Sequence, residues 1–233
     1  MFWIPPRKQN QYDPVFANNT WAKIIKACQN KEVPETWTVG SQKAMTIDGT
    51  DYPIDIIGKN HDNYSDGSGK APLTFQLHDC YGEPYTMNDT STNVGGWTSC
   101  AMRQTHLPTI LSKMPTEVQN GIREVNKLTS AGNLSATINT TADKLFLLSE
   151  IEIFGSVIYS ISGEGTQYAY YKAGNSKVKN LYGSQGDWWE RSPAGSEADD
   201  EYTWYFCRVF SDDAEADYYD AAELNGVPFG FCF

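Results

Sequence analysis

The stretch WWERSP, residues 188–193, gives the firmest indication of how this chain folds. Two adjacent tryptophans supply the apolar area that anchors a core, and Glu190 and Arg191 can pair or cap the local backbone. The residue before a proline avoids the helical region, so Ser192-Pro193 predicts a sharp end to a strand. We therefore interpret the stretch as scaffold and assign that role to Trp188, Trp189, Arg191 and Pro193.

Apolar runs lie on both sides of WWERSP. KLFLLSEIEIFG (144–155) is the strongest of them and predicts a buried strand followed by a bend. TWYFCRVFSDD (203–213) and GVPFGFCF (226–233) predict two further core strands that lie next to each other. QYAYYKAG (167–174) is compatible with either helix or extended chain.

The N-terminal part predicts an extended arm, a helix and small strands. Asn19-Thr20 can cap a helix from Trp21 to about Gln29, whose apolar residues fall on one face. Residues 33–58 predict short strands joined by turns, with a hairpin bend at Asp48-Gly49. We take residues 1–42 as a separate N-terminal segment made of this arm and helix.

The middle of the chain predicts two helices separated by polar loops. Residues 95–111 predict a helix interrupted at Pro108, and residues 115–129 predict a second helix with one apolar side. Residues 61–72 and 131–144 are polar and predict loops. Short strands, abundant turns and two helices together predict an α+β fold.

Composition and charge exclude some classes of function. The net charge is −11, and residues 187–233 hold twelve of the 29 acids but two of the 18 basic residues. Phosphate-backbone binding needs clustered Lys and Arg, so we expect no nucleic-acid partner. The acidic end is either a solvated face or a surface for a cationic partner or Ca²⁺. No run approaches the roughly 20 apolar residues that span a bilayer, so we expect no membrane insertion.

Motifs for catalysis and metal binding are absent from the sequence. The three histidines are scattered, and there is neither a GxSxG elbow nor a glycine-rich phosphate loop. A calcium loop counted from Asp62 fails, because Tyr64 and Leu73 occupy its third and twelfth positions. We therefore expect no enzyme activity, no cofactor and no metal.

The five cysteines form no CxxC pair, and their number is odd. We expect free, mostly buried thiols, and a disulfide between Cys207 and Cys232 is the alternative.

Several motifs in order make the chain resemble a known family. They are IIGKNHDNYSDGSGKAPLTFQL (56–77), NVGGWTSCAMR (93–103), KLFLLSEIEIFG, GEGTQYAYY (163–171), WWERSP, WYFCRVFSD (204–212) and GVPFGFCF. The resemblance, over about residues 43–233, is to C-terminal domains of prophage tail proteins. These domains are similar to the C-type-lectin-like variable proteins of diversity-generating retroelements, whose type case is the major tropism determinant of a phage.

The resemblance implies a C-type-lectin-like domain over residues 43–233, with small antiparallel sheets, two helices and many loops. In such proteins adenine-directed mutagenesis rewrites selected codons, and the rewritten side chains form an exposed receptor-binding face. We place the candidate variable region at about 190–225. Its candidate ligand-binding residues are Glu197, Asp199, Asp200, Tyr202, Thr203, Tyr205, Phe210, Asp212, Asp213, Ala214, Asp217, Tyr218, Tyr219, Asp220, Leu224 and Asn225.

Codon arithmetic agrees with this choice of residues. Randomised adenines in AAC or AAT codons yield Asp, Ala, Tyr, Phe, Leu, Asn, Ser or Gly, and most residues in 210–225 belong to that set. Glu215 and Glu223 do not, and they would be fixed or template-encoded. Tyrosine with small and acidic residues is also typical of antibody paratopes.

The implied function is host adhesion by a phage tail receptor-binding protein, located on the virion or a bacterial cell surface. Its partner would be a protein or glycan receptor of a bacterial host, and the N-terminal segment would attach or trimerise the domain. The alternatives are a variable lectin-like protein on a bacterial surface, a tail component without a ligand, and a relative of the formylglycine-generating oxidases, which need a reactive cysteine pair. A calcium-dependent sugar lectin lacks support, because the EPN, QPD and WND triplets are missing.

Overall fold

The protein, seen in a computed structural model, combines short helices with several small antiparallel sheets. The structure describes residues 11–195 and 200–233, with the backbone alone at 200 and 201. The largest sheet has five antiparallel strands in the order β1-β2-β3-β12-β6. These strands are β1 (Gln42–Ile47), β2 (Thr50–Lys59), β3 (Leu73–Leu77), β6 (Leu145–Phe146) and β12 (Gly230–Cys232).

A second sheet has three antiparallel strands in the order β11-β10-β9. They are β9 (Trp188–Pro193), β10 (Tyr205–Val209) and β11 (Ala216–Asp220). Two hairpins complete the strands of the described residues: β4 (Val125–Ser130) with β5 (Ile138–Asp143), and β7 (Lys179–Leu181) with β8 (Ser184–Gly186).

The helices are short. They are α1 (Trp21–Gln29), α2 (Gly96–Ser99), α3 (Leu107–Lys113), α4 (Thr116–Gly121), α5 (Glu150–Phe154) and α6 (Ala169–Lys172). A π-helical segment, Met102–His106, joins α2 to α3, and 3₁₀ turns occupy Phe16–Asn18 and Asp200–Trp204. Among the described residues, no helix combines the length and the apolar character needed to cross a membrane.

The helix predicted at 21–29 is confirmed. The Thr20 side chain accepts a hydrogen bond from the Lys23 backbone nitrogen at 3.3 Å, and so it caps the first turn. The buried face of α1 belongs to the main core, where the Trp21 ring lies 5.9 Å from that of Phe75 and 6.1 Å from that of Phe233. The first ten residues of the predicted arm lie outside the described residues.

The hairpin bend at Asp48-Gly49 is also confirmed. Both residues have positive φ, 49° and 80°, which is the requirement of a type I′ turn, and Ile47 pairs with Thr50 across it. The helix predicted at 95–111 is confirmed in part, because α2 ends at Ser99, Cys100 is extended, and the chain is helical again from Met102 to Lys113. The expected interruption at Pro108 is wrong, since Pro108 lies in the first turn of α3. QYAYYKAG, which was compatible with either state, contains the helix α6.

The helix predicted at 115–129 is wrong beyond its first half. Helix α4 ends at Gly121, which packs against Ile25 of α1, and strand β4 begins at Val125. Lys127 is buried and Leu128 is 38% exposed, so burial alternates along the strand. Apolar spacing suggested a helix because the sequence alone gives no reason to bury a lysine.

The predictions for the two segments that follow β4 are also wrong in part. Residues 131–144 are not one polar loop, because β5 pairs with β4 along its whole length. In the run 144–155, two residues form β6, and Ser149 then begins α5 with a capping box completed by Glu152. The expected buried strand is therefore only two residues long, and a helix begins where we expected a bend.

The prediction that the last two apolar runs are neighbouring strands is wrong. Strand β10 lies in the three-stranded sheet, whereas β12 lies in the five-stranded sheet between β3 and β6. Phe231 of β12 pairs with Phe75 on one side and Leu145 on the other. The end of the chain is thus an internal strand of the main core.

The prediction about the cysteines is confirmed. All five lie within the described residues as free, buried thiols, and the alternative disulfide between Cys207 and Cys232 is absent.

Candidate binding surface

The three-stranded sheet changes from fully buried to partly exposed across its width. All six residues of β9 are buried, four of five are buried in β10, and none is buried in the edge strand β11. Because alternate residues of a strand face opposite sides, β11 offers side chains on two faces. The exposed edge strand β11 is therefore hydrogen-bonded to the mostly buried strand β10, which pairs with the fully buried strand β9.

Four tyrosines meet on one face of this edge. The ring centroid of Tyr218 lies 5.0 Å from that of Tyr202, 5.2 Å from that of Tyr205 and 5.0 Å from that of Tyr159. The hydroxyls of Tyr202 and Tyr218 are 3.3 Å apart, and all four side chains are partly exposed. We call these four residues the tyrosine cluster.

Tyr219 lies on the other face of β11. Its ring is 4.0 Å from the guanidinium of Arg208, and 39% of the residue is exposed. Arg208 also forms ion pairs with Asp187 at 2.6 Å and with Asp217 at 2.7 Å. Asp217, a predicted contact residue, is thus engaged in an ion pair that positions β11.

The turn between β10 and β11 carries the next predicted residues. Asp212 and Asp213 are exposed, whereas Phe210 and Ala214 are partly buried. A surface groove of about 510 Å³ runs along the turn and reaches Tyr159 of the tyrosine cluster; its lining includes Phe154, Ile158, Lys177, Asp213, Ala214 and Glu215. Tyrosine, carboxylate and small side chains therefore surround one concave region.

The remaining predicted residues are not all at this surface. Asn225 is buried, its backbone pairs with that of Tyr85, and its Oδ1 is 3.4 Å from the Arg208 guanidinium. Leu224 is 61% exposed, and Asp220 accepts a hydrogen bond from the Ala222 backbone. Thr203 is partly buried, and its carbonyl oxygen accepts a hydrogen bond from the Asn93 backbone. Glu197, Asp199 and the side chain of Asp200 lie outside the described residues.

Sequence reasoning missed Tyr159, because it lies outside the region from 190 to 225. Glu150 positions it, since one oxygen of that buried carboxylate accepts a 2.8 Å hydrogen bond from the Tyr159 backbone nitrogen. Burial raises the pKa of Tyr159, and nearby Asp217 adds to the effect, so the phenol stays neutral at neutral pH.

Behind the surface, Arg191 occupies the centre of a charge network. It is fully buried, and it donates to both oxygens of Glu152, to Thr129 and to the backbone oxygens of residues 128, 147 and 164. Glu152 also accepts from Lys127 at 2.7 Å, which in turn donates to Asp62 at 2.9 Å. We call these two acids and two bases the paired network.

Burial opposes ionisation of Asp62, but the Lys127 charge and the hydrogen bonds from Lys127 and Thr74 together outweigh it and lower the pKa of Asp62 to about 2. Of the two roles expected for Glu190 and Arg191, pairing with each other is absent, because Arg191 binds Glu152. Arg191 does bind backbone oxygens, but those of residues distant in sequence rather than of the local backbone. The assigned scaffold residues Trp188, Trp189, Arg191 and Pro193 are all buried.

A second buried group of side chains lies beside this network. Glu150, Glu190 and Cys207 bring two carboxylates and a thiol within 4.8 Å of one another, and all three are buried. We call them the acid–thiol cluster. The sequence predicted no metal site, and no motif spacing links these residues.

Residues 73–227 match the family described as "Domain of unknown function (DUF6273)". The chain belongs to this family. The match includes β9, β10, β11, the acid–thiol cluster and three members of the paired network, Lys127, Glu152 and Arg191, whereas Asp62 precedes it. No curated protein matches the chain. No solved structure matches it either.

Proposed function

We propose that this DUF6273 chain is a receptor-binding protein that contacts its ligand through the tyrosine cluster and the adjacent acidic turn. One observation carries the proposal: four partly exposed tyrosine rings converge at the edge of a sheet whose other face is held by the ion pairs of Arg208 with Asp187 and Asp217. Tyrosine contributes a large amphipathic contact area at small entropic cost, and rigid support reduces the ordering cost of binding.

In this proposal the domain has a C-type-lectin-like fold, with small antiparallel sheets around a loop-rich binding face. It acts in host adhesion, as part of a phage tail or of a bacterial surface protein, and its partner is a protein or glycan receptor of a bacterial cell. The N-terminal segment attaches or trimerises it. Several weak sites on one particle would then gain about 10²–10⁴-fold in avidity.

The proposal includes no enzyme activity and no cofactor. An oxidase of the formylglycine-generating type would need a reactive cysteine pair. Cys207 and Cys232 are fully buried in different sheets, and burial raises the pKa of both thiols well above its usual range. Buried neutral thiols are usually inert, which supports binding over catalysis.

Binding by the fluorescently labelled full chain tests the proposal, with a glycan microarray and a panel of intact bacterial cells as probes. The double variant Tyr202→Ala/Tyr218→Ala is expected to bind at least about tenfold more weakly than wild type. Tyr182→Ala is the matched control, because Tyr182 is an exposed tyrosine (69%) outside the cluster. Undiminished binding by a folded double variant, or no binding of wild type to either probe, contradicts the proposal.

The neighbouring DNA tests diversification separately. A nearby template repeat that differs from codons 190–225 only at adenines, beside a reverse transcriptase gene, is the expected finding. Without such a template, the surface is a binding site of fixed sequence.

A further inference from the structure

Glu190 is a buried acid without a partner. It lies in β9 with 0% exposure, and neither carboxylate oxygen has a hydrogen-bond partner among the described residues. An unpaired buried carboxylate is costly, and proteins normally resolve that cost by protonation, pairing or metal coordination. The nearest base in sequence, Arg191, is engaged with Glu152 and does not serve it.

Two potential metal ligands lie close to the Glu190 carboxyl group. They are a carboxylate oxygen of Glu150 and the sulfur of Cys207, and the three ligand atoms lie within 4.8 Å of one another. Tetrahedral zinc ligands at about 2.0–2.3 Å from the metal are separated by roughly 3.4 Å. Small side-chain movements would therefore close the acid–thiol cluster around one ion.

Glu150 is already held in place for this role. Its Oε2 accepts hydrogen bonds from the Ile158 nitrogen at 2.7 Å and from Ser160, while its Oε1 accepts from the Tyr159 nitrogen at 2.8 Å. Such outer contacts orient a carboxylate and are typical of metal ligands. The adjoining Ser192 hydroxyl donates to Glu164 and accepts from the Glu150 backbone nitrogen, which fixes β9 against α5.

The ligand set selects a class of ion. Ca²⁺ requires six to eight oxygen ligands and Mg²⁺ keeps several waters, so neither suits a dry site with a sulfur ligand. Zn²⁺ and similar first-row divalent ions accept a mixture of thiolate and carboxylate at low coordination number. Three protein ligands leave the fourth position of a tetrahedral Zn²⁺ to a water or to a second carboxylate oxygen.

We propose that Glu150, Glu190 and Cys207 bind a divalent transition-metal ion of the Zn²⁺ type. When the ion binds, the Glu190 carboxyl and the Cys207 thiol each release a proton to solvent. Exchanging two protons for one dication leaves the net charge of the cluster unchanged, so the interior needs no further countercharge. The ion joins α5 to β9 and β10, beneath the segment that carries Tyr159. This site does not rest on the proposed receptor binding.

Metal content and cobalt spectroscopy on the full chain test the site. After treatment with a chelator and dialysis against Zn²⁺, wild type is expected to retain about one zinc per chain and to unfold at a higher temperature than the chelated sample. Co²⁺ is expected to produce a thiolate-to-cobalt charge-transfer band, which surface carboxylates and histidines cannot give. Mg²⁺ and Ca²⁺ should produce no thermal shift.

Variants then identify the ligands. Cys207→Ser is expected to abolish the cobalt band, and Glu190→Gln to lower zinc retention at least tenfold. Cys28→Ser is the matched control, since Cys28 is a buried free thiol outside the cluster. Wild type that retains no zinc and shows no thermal shift would overturn the proposal and leave Glu190 simply protonated. Full zinc retention by Glu190→Gln would overturn it as well.

Discussion

Glu190 and Arg191 are neighbours in β9, but they belong to two buried groups of ionisable side chains that compensate for burial in different ways. Arg191, in the paired network, donates to six acceptors, and the network balances two acids with two bases. Glu190, in the acid–thiol cluster, lies beside another carboxylate and a thiol, and neither of its oxygens has a hydrogen-bond partner among the described residues. Both are fully buried, so burial alone does not distinguish them. The paired network is complete in the protein alone, whereas the acid–thiol cluster needs protons or a cation.

Changing Arg191 to Met gives the largest expected effect on stability, because it removes a donor from several carbonyl oxygens and leaves Glu152 paired with Lys127 alone. We expect the free energy of unfolding to fall by about 3–5 kcal/mol, measured by urea denaturation followed by circular dichroism. Arg123→Met is the control, since Arg123 pairs with Asp66 at the exposed surface. A similar loss in both variants would show that the paired network has no special role.

Removing the Asp62 carboxylate tests the other end of the paired network, because the stability that this carboxylate contributes depends on pH. The folded pKa of about 2 lies below the unfolded value of 3.8, so the carboxylate contributes stability above pH 4 and loses it as pH falls towards 2. Asp62→Asn is therefore expected to cost roughly 2–3 kcal/mol at neutral pH and much less near pH 2. Urea denaturation of the wild type and of the variant from pH 2 to 7 measures the difference in the free energy of unfolding. A pH-independent difference would contradict the role of Lys127.

Replacing Glu190 by Met tests the acid–thiol cluster, where we expect the substitution to increase the free energy of unfolding instead of lowering it. In chelator, the apolar side chain removes an unpaired buried carboxyl, and stability should rise by about 1–3 kcal/mol. In the presence of Zn²⁺ the variant should lose the stabilisation that wild type gains. Thermal unfolding under both conditions measures the effect. If the variant is less stable in chelator, Glu190 has a partner that the structure does not reveal.

The smallest effect on the free energy of unfolding is expected at the exposed surface. Leu224 is 61% exposed, so Leu224→Ala should change the free energy of unfolding by less than about 0.5 kcal/mol. The matched change at buried Leu148 should cost about 2–5 kcal/mol. Both are measured by urea denaturation. Equal costs would mean that Leu224 is part of the core, which would not tolerate diversification there.

Local sequence determined the features whose partners are close along the chain. The Thr20 cap, the helix from Trp21 to Gln29 and the Asp48-Gly49 turn were predictable, because each depends on backbone preferences within a few residues. The buried, unpaired cysteines followed from their apolar surroundings and lack of motif spacing. Of the four tyrosines predicted to form one surface, Tyr202, Tyr205 and Tyr218 lie together, whereas Tyr219 lies on the other face against Arg208.

Tertiary structure decided everything that depends on distant partners. Residues 125–130 form a strand because β5 pairs with them and because Lys127 finds two acids in the interior. Tyr159 joins the tyrosine cluster through a carboxylate of α5. The acid–thiol cluster comes from three separate elements, α5, β9 and β10, so no spacing could reveal it. Local preferences fix a cap or a turn, but the partner of a buried charge depends on which distant segments the fold brings together.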